Sequence, residues 1–210
     1  MTSITGFQDR IHQGQRTNRD AKIDVRQSGV YYLRISSPTG DPGMVLTKEE
    51  LIASLQNEVR ILLHLAGKIN RAQLDYRPAP KQRSTIELLQ YLSVMGPMEI
   101  PFIKAGAFDG AAWQAALSAA SGANFDQVLS ALEKQGSDYA ALLQGWSDDD
   151  FRGEIDMLNR KASRGSFIVN LVLCGHAAYR TQLFLYLKAC GRDELSTWNL
   201  WAGVDAPMPG

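Results

Sequence analysis

From Gly165 to Gly191 the chain reads GSFIVNLVLCGHAAYRTQLFLYLKACG, a helix-length run with apolar side chains on nearly every side. A helix lying on the surface of a globule carries a polar face opposite its apolar stripe. This run has no such face, so it predicts one long helix through the centre of a helical bundle. That placement brings His176, Tyr179, Arg180 and Gln182 close to the core. Polar groups there need partners or a chemical task, because burying one unpaired costs roughly 1–3 kcal/mol.

The segment from Phe167 to Leu187 is long enough to cross a bilayer, but it carries Asn170, His176, Arg180 and Gln182. An arginine at mid-membrane alone costs roughly 2.5–3.5 kcal/mol on insertion scales. The expectation is therefore a core helix, with no membrane partner. The first twenty residues, MTSITGFQDRIHQGQRTNRD, have no apolar stretch of the kind a secretory signal needs. Lys+Arg and Asp+Glu both number 22, so no global basic field attracts nucleic acid. Within the first 26 residues Arg10, Arg16, Arg19, Lys22 and Arg26 are offset by Asp9, Asp20 and Asp24. Cys174 and Cys190 share the central helix and are about 24 Å apart at its rise per residue, beyond disulfide reach. They are expected to be buried free thiols in a cytoplasmic protein.

Residues 1–46 read as a polar N-terminal extension or arm. Its GVYYLRIS run, Gly29 to Ser36, is expected to form one short strand or hairpin, followed by the turn-forming SPTGDPG. Residues 47–210 read as the bundle with a C-terminal tail. Thr47 and Glu50 form a capping box, and Leu51, Leu55, Val59, Leu62 and Ala66 follow at helical spacing. A second capping box, Ser84 with Glu87, opens a helix expected to stop at Gly96-Pro97. Ala111 to Ala120 and Phe125 to about Trp146 are helical, with a possible break at Gly136, and the polar stretch before Gly165 suits a short hairpin. Trp198 and Trp201 are expected to fold back onto the bundle. The architecture is all-α: a four-helix bundle with an N-terminal extension.

Three pieces of this pattern resemble the DinB-like family of bacterial four-helix bundles. They are TKEELIASLQNEVRILLHLAGKI, the proline-containing DYRPAPKQRSTIELLQYL, and HAAYRTQLFLYLKACGR. The match spans Thr47 to Gly191. It implies a divalent metal such as zinc or nickel held by three histidines, one on the second helix and two a turn apart on the last. It also implies thiol-transferase or hydrolase chemistry. Residues i and i+4 share a helix face, so such a pair converges on one ion and leaves positions open for substrate. This chain places Tyr91, Gly175 and Tyr179 at the three positions. His176 is one residue, about 100°, from the first last-helix position. If His176 is taken as that ligand, its i+4 partner is Arg180, a cation that cannot ligate.

Gly175, Tyr179, Gln182 and Tyr186 share a helical stripe that faces Tyr91. With His176 they are the candidate pocket, either a small-molecule cavity or a core filled by tyrosines. His176, Tyr179 and Tyr91 are the candidate catalytic residues, with His176 either a general base or a packed histidine. His64 reads as a packed or helix-edge residue, and Asp148-Asp149-Asp150 as a solvated turn. Arg77 and Arg83 flank the proline linker as salt-bridge or capping residues, with anion binding the alternative. The resulting expectation is a small-molecule-binding or interaction protein, homodimeric, with the metal site lost and no cofactor. The alternative is a divalent-metal-dependent transferase or hydrolase with a rearranged site.

Overall fold

The computed structural model describes residues 46–205, so His12 and the strand-like run of residues 29–36 lie outside the described residues. Helix α1 (Lys48–Ala66) opens on Thr47, whose hydroxyl accepts from the Glu50 amide at 3.1 Å while the Glu50 carboxylate accepts from the Thr47 amide at 2.8 Å. Helix α2 (Thr85–Ala105) opens the same way on Ser84 and Glu87. Helices α3 (Gly110–Ser121) and α4 (Phe125–Leu143) come next. Both capping boxes satisfy amides that a helix end would otherwise leave bare, which is why these two starts stand where the sequence puts them.

Helix α2 does not stop at Gly96-Pro97. It runs through Pro97 and Pro101 to a left-handed Gly106 at φ 71°. Each internal proline removes one intrahelical bond and costs about 3 kcal/mol. Ile100, Phe102 and Ile103 lie beyond Pro97 and are all buried. Their burial contributes about 1.5–3 kcal/mol each, enough to offset the broken ladder. Gly136 likewise does not interrupt α4; its carbonyl accepts from Gln56 at 2.9 Å.

A short helix, α5 (Asp148–Arg152), leads into an antiparallel hairpin of β1 (Glu154–Met157) and β2 (Arg160–Ser163). The DDD run thus forms a helix start capped by Ser147 rather than a plain turn. At the hairpin tip Leu158 and Asn159 both have positive φ, 57° and 58°. Asparagine tolerates this region and leucine resists it, at a cost of roughly 1–2 kcal/mol. Leu158 is also 54% exposed. Leu158→Asn is therefore expected to stabilise the fold by about 1 kcal/mol, read by urea unfolding. A loss of stability would show that the leucine makes a contact worth more than the strain.

The long helix forms in three continuous parts, α6 (Arg164–Phe167), a π-helical turn over Ile168–Leu173, and α7 (Cys174–Ala189). It is not central: Asn170, Cys174, Ala178, Thr181, Leu185 and Ala189 line an exposed face, apolar enough at Leu185 and the alanines to hide it from a polarity count. The widened turn is marked by the Cys174 amide donating to the Val169 carbonyl, five residues back. Asn170 donates from its side chain to the Ser166 carbonyl at 2.7 Å within the same stretch. Such turns insert one residue and rotate the downstream helix relative to the upstream one. Cys174 is exposed and Cys190 half-buried, both unpaired. Cys174 lies on the exposed face of α7, and Cys190 caps its C-terminal end, where it is only partly covered. Among the described residues no helix is long and apolar enough to cross a membrane.

Helix α8 (Thr197–Trp201) folds back onto α1. Arg60 donates to the Ala202 and Gly203 carbonyls at 2.8 and 3.3 Å. The anchors are Leu195 and the polar Asn199, both buried, while Trp201 remains 69% exposed. Asn199 donates to His64 Nε2 at 3.1 Å and to Asp205 at 2.7 Å. His64 is thus a half-buried tail anchor at the end of α1 and does not meet His176.

The apolar core divides into two clusters along the bundle. One gathers Leu51, Leu55, Ile100, Ile103, Tyr139, Phe167 and Val172. The other gathers Leu62, Leu65, Leu88, Leu92, Leu132, Leu183 and Leu187. Between them stand the polar side chains of Glu99 on α2, Gln135 on α4, and His176 and Arg180 on α7, and Glu58 of α1 pairs with Arg180. The bundle therefore has a polar waist.

Candidate functional site

The waist is built by residues that sequence reasoning did not pair. His176 is fully buried, and its Nε2 lies 2.5 Å from the Tyr139 hydroxyl of α4. Tyr139 lies 3.4 Å from the Gln135 side-chain oxygen, and Gln135 donates to the Leu92 carbonyl at 2.7 Å. The shorter contact ties the phenol to His176, with donor and acceptor set by the imidazole tautomer. Among the described residues, His176 Nδ1 and one carboxylate oxygen of Glu99 are buried without a hydrogen-bond partner. Gly96 makes the arrangement possible. A Cβ there would stand 1.9 Å from the Tyr139 hydroxyl oxygen. Glu99 was legible only as the lone acid in the apolar stretch SVMGPMEIPFI, and Gln135 only by standing one turn before Tyr139.

Burial governs the charge of this layer. Desolvation lowers the His176 pKa to about 4 and raises that of the Glu99 carboxyl to about 7. Burial, and then the field of Glu99, pushes the Tyr139 phenol far above its usual range. The two shifts act on stability in opposite directions. Between pH 4 and 6.5 the unfolded chain binds a proton at His176 that the folded chain refuses, so stability falls as pH falls. Between pH 4.5 and 7 the folded chain holds a proton on Glu99 that the unfolded chain has lost, so stability falls as pH rises. The two slopes cancel between pH 4.5 and 6.5. Glu99→Gln is expected to unmask a stability that rises with pH there, approaching about 1.4 kcal/mol per unit. His176→Phe is expected to unmask the opposite slope. Urea unfolding at pH 4.5, 5.5 and 6.5 reads both, and identical profiles in all three proteins would refute the cancellation.

The remaining sequence candidates lie around the α2–α7 seam. Tyr91 and Tyr179 meet edge to face with ring centroids 5.0 Å apart. Tyr91 also meets Trp113 of α3 at 5.9 Å, and the Arg83 guanidinium carbon lies 4.0 Å from the Tyr91 ring centre. Burial first, and then the neighbouring Tyr179 hydroxyl, raise the Tyr91 phenol well above its usual range, so it stays protonated. Gly175 faces Met95, whose Sδ and Cε would lie 3.1 Å from an added Cβ. Gln182 donates to the Tyr186 hydroxyl at 2.5 Å, and that hydroxyl donates to the Arg83 carbonyl at 2.9 Å. Gly175 packs on Met95, and the other five candidates fall into three groups. Tyr91 and Tyr179 form one, Gln182 and Tyr186 bind the linker, and His176 turns toward α4. A depression of about 360 Å³ between α2 and α4 is lined by Pro97, Lys134, Asp138, Ala141 and Leu142, and by none of these six.

Among the described residues no group of three or more His, Cys, Asp or Glu side chains comes together in a way that would hold a metal ion. The chain aligns in space with the crystal structure of a DinB-like protein of Bacillus subtilis, YjoA. The TM-score is 0.53 and the sequence identity 18%, over 70% of this chain and 95% of that one. The fold is DinB-like. No protein-family model matches the sequence, and no curated protein matches it. At this identity the likeness extends to the path of the helices and leaves the chemistry of the seam to the residues in it.

Proposed function

We propose that this DinB-like bundle binds a small organic molecule without a metal, at the α2–α7 seam around Tyr91 and Tyr179. The observation that carries this reading is the direct contact of those two rings. They stand at two of the positions where the family resemblance places histidine ligands. The third position is Gly175, which offers no donor atom and is packed on Met95. A phenol held protonated by burial is a poor ligand for zinc or nickel. This donor set does not fit the divalent ion that the resemblance implies.

Binding is favoured over catalysis by the position of His176. A general base must reach the proton it removes. His176 is closed off from solvent, and its Nε2 is engaged by Tyr139. Tyr91, Tyr179 and Trp113 are only half-buried, so the seam presents aromatic surface to a ligand from outside.

Untagged protein, dialysed and then supplied with zinc or nickel, is expected to retain well under one ion per chain and to show no shift in melting temperature. One tightly held ion per chain, lost in Tyr179→Phe or His176→Ala, would overturn the metal-free reading. Ligand-observed NMR with a fragment library is expected to yield binders that disappear in Tyr179→Ala. Binders that persist in that variant would move the site elsewhere.

A further inference from the structure

We propose that the ligand at this seam is an organic carboxylate with a flat apolar body, its charge taken by Arg83 and its body by Tyr91, Trp113 and Phe108. The inference rests on the reading of a metal-free small-molecule site and names its substrate class.

The two arginines that flank the proline linker have different surroundings. Arg77 pairs with Glu87 at 3.0 Å and donates to the Gln82 carbonyl at 3.1 Å. Arg83 is exposed and has no carboxylate partner among the described residues. It is nevertheless held in place. Its carbonyl accepts from the buried Tyr186 hydroxyl, itself hydrogen-bonded by Gln182. Its guanidinium lies on the Tyr91 ring at 4.0 Å.

A guanidinium resting on an aromatic ring is ordered in advance and keeps its N–H fork free at the edge. That fork matches the two oxygens of a carboxylate, as a lysine ammonium would not. The aromatic surface continues from Tyr91 to Trp113 and on to Phe108, whose ring lies 5.8 Å from Trp113 and is 38% exposed. Tyr91, held protonated by burial, carries its neutral phenol on the ring that the cation covers, and the Tyr179 ring adjoins it. Glu99 is the acid whose field reaches Tyr91, and its carboxyl titrates near 7, so it opposes a bound anion only weakly.

Calorimetry with two matched pairs tests this: phenylacetate against phenylacetamide, and benzoate against benzamide, in low salt at pH 6.5. The acids are expected to bind the full chain about tenfold tighter than their amides, the usual scale of a charge-assisted fork. Arg83→Gln is expected to bring each acid down to the level of its amide and to leave the amides within about twofold. Arg83→Lys is expected to recover only part of the preference, since it keeps the charge and loses the fork. Acids and amides that bind the wild type equally, unaffected by Arg83→Gln, would overturn the carboxylate inference and leave a small-molecule site standing. Absence of binding by all four probes, with neutral fragments still binding in a Tyr179-dependent way, would also overturn it. Absence of binding by the probes and by every fragment would remove the site altogether.

Discussion

Glu58→Ala is expected to lower the melting temperature by about 10 °C. Its partner Arg180 has a side chain only 4% exposed, and Glu58 itself is 13% exposed. The carboxylate takes a two-pronged contact, from Nε at 2.8 Å and from one terminal nitrogen at 3.3 Å. The other terminal nitrogen donates to the Leu200 carbonyl. Removing Glu58 leaves a guanidinium in the waist with one neutral acceptor. Breaking one side of a buried pair costs about 3–5 kcal/mol. The lower end applies because Glu58 lies near the surface and water can partly replace it. For a chain of this size each kcal/mol shifts melting by about 2–4 °C. Circular dichroism melts read the change. The apolar pair Glu58→Leu with Arg180→Met is expected to be less destabilised than the single mutant, because it leaves no bare charge. A single-mutant cost under about 1 kcal/mol would mean that the pair behaves as a surface ion pair.

Gly96→Ala is the second large effect, and its sign runs against helix propensity. Alanine in mid-helix is favoured over glycine by about 1 kcal/mol. Here the added methyl would stand 1.9 Å from the Tyr139 hydroxyl oxygen and 2.7 and 2.8 Å from two ring carbons. Tyr139 cannot swing clear. It is fully buried, tied to His176 at 2.5 Å, and packed edge-on to that imidazole with centroids 5.8 Å apart. Overpacking of this kind costs about 3 kcal/mol, so a net loss of about 2 kcal/mol remains after the propensity gain. Adding Tyr139→Phe is expected to recover only part, since the 2.7 Å clash is with a ring carbon that phenylalanine keeps. That variant also leaves Nε2 of His176 without a partner. A neutral or stabilising Gly96→Ala would mean that α2 and α4 separate more easily than their packing implies.

Both effects sit in the waist, the part of the molecule least readable from sequence. Arg180 and Glu58 are 122 residues apart, and His176 and Tyr139 are 37 apart. Helical periodicity places each of these residues on an inward face. It does not say which inward residue of another helix stands at the same level. The run of α2 through two prolines was also hidden, because a proline breaks a local bond while the compensation comes from Ile100, Phe102 and Ile103 against distant neighbours. At the seam the stripe Gly175–Tyr179–Gln182–Tyr186 was legible. That Gly175 packs on Met95 and that Tyr186 ties down the linker before α2 were not.

Local chemistry in the chain determined where α1 and α2 begin and that the run from Gly165 to Gly191 is helical. Each of these comes from contacts three or four residues apart, which a linear string displays. Tertiary packing alone decided that His176 turns to Tyr139, that Arg83 lies on the Tyr91 ring, and that a polar layer divides the core. Those outcomes depend on the rotation and level of one helix against another, and that geometry is set by side chains filling space between segments far apart in the chain.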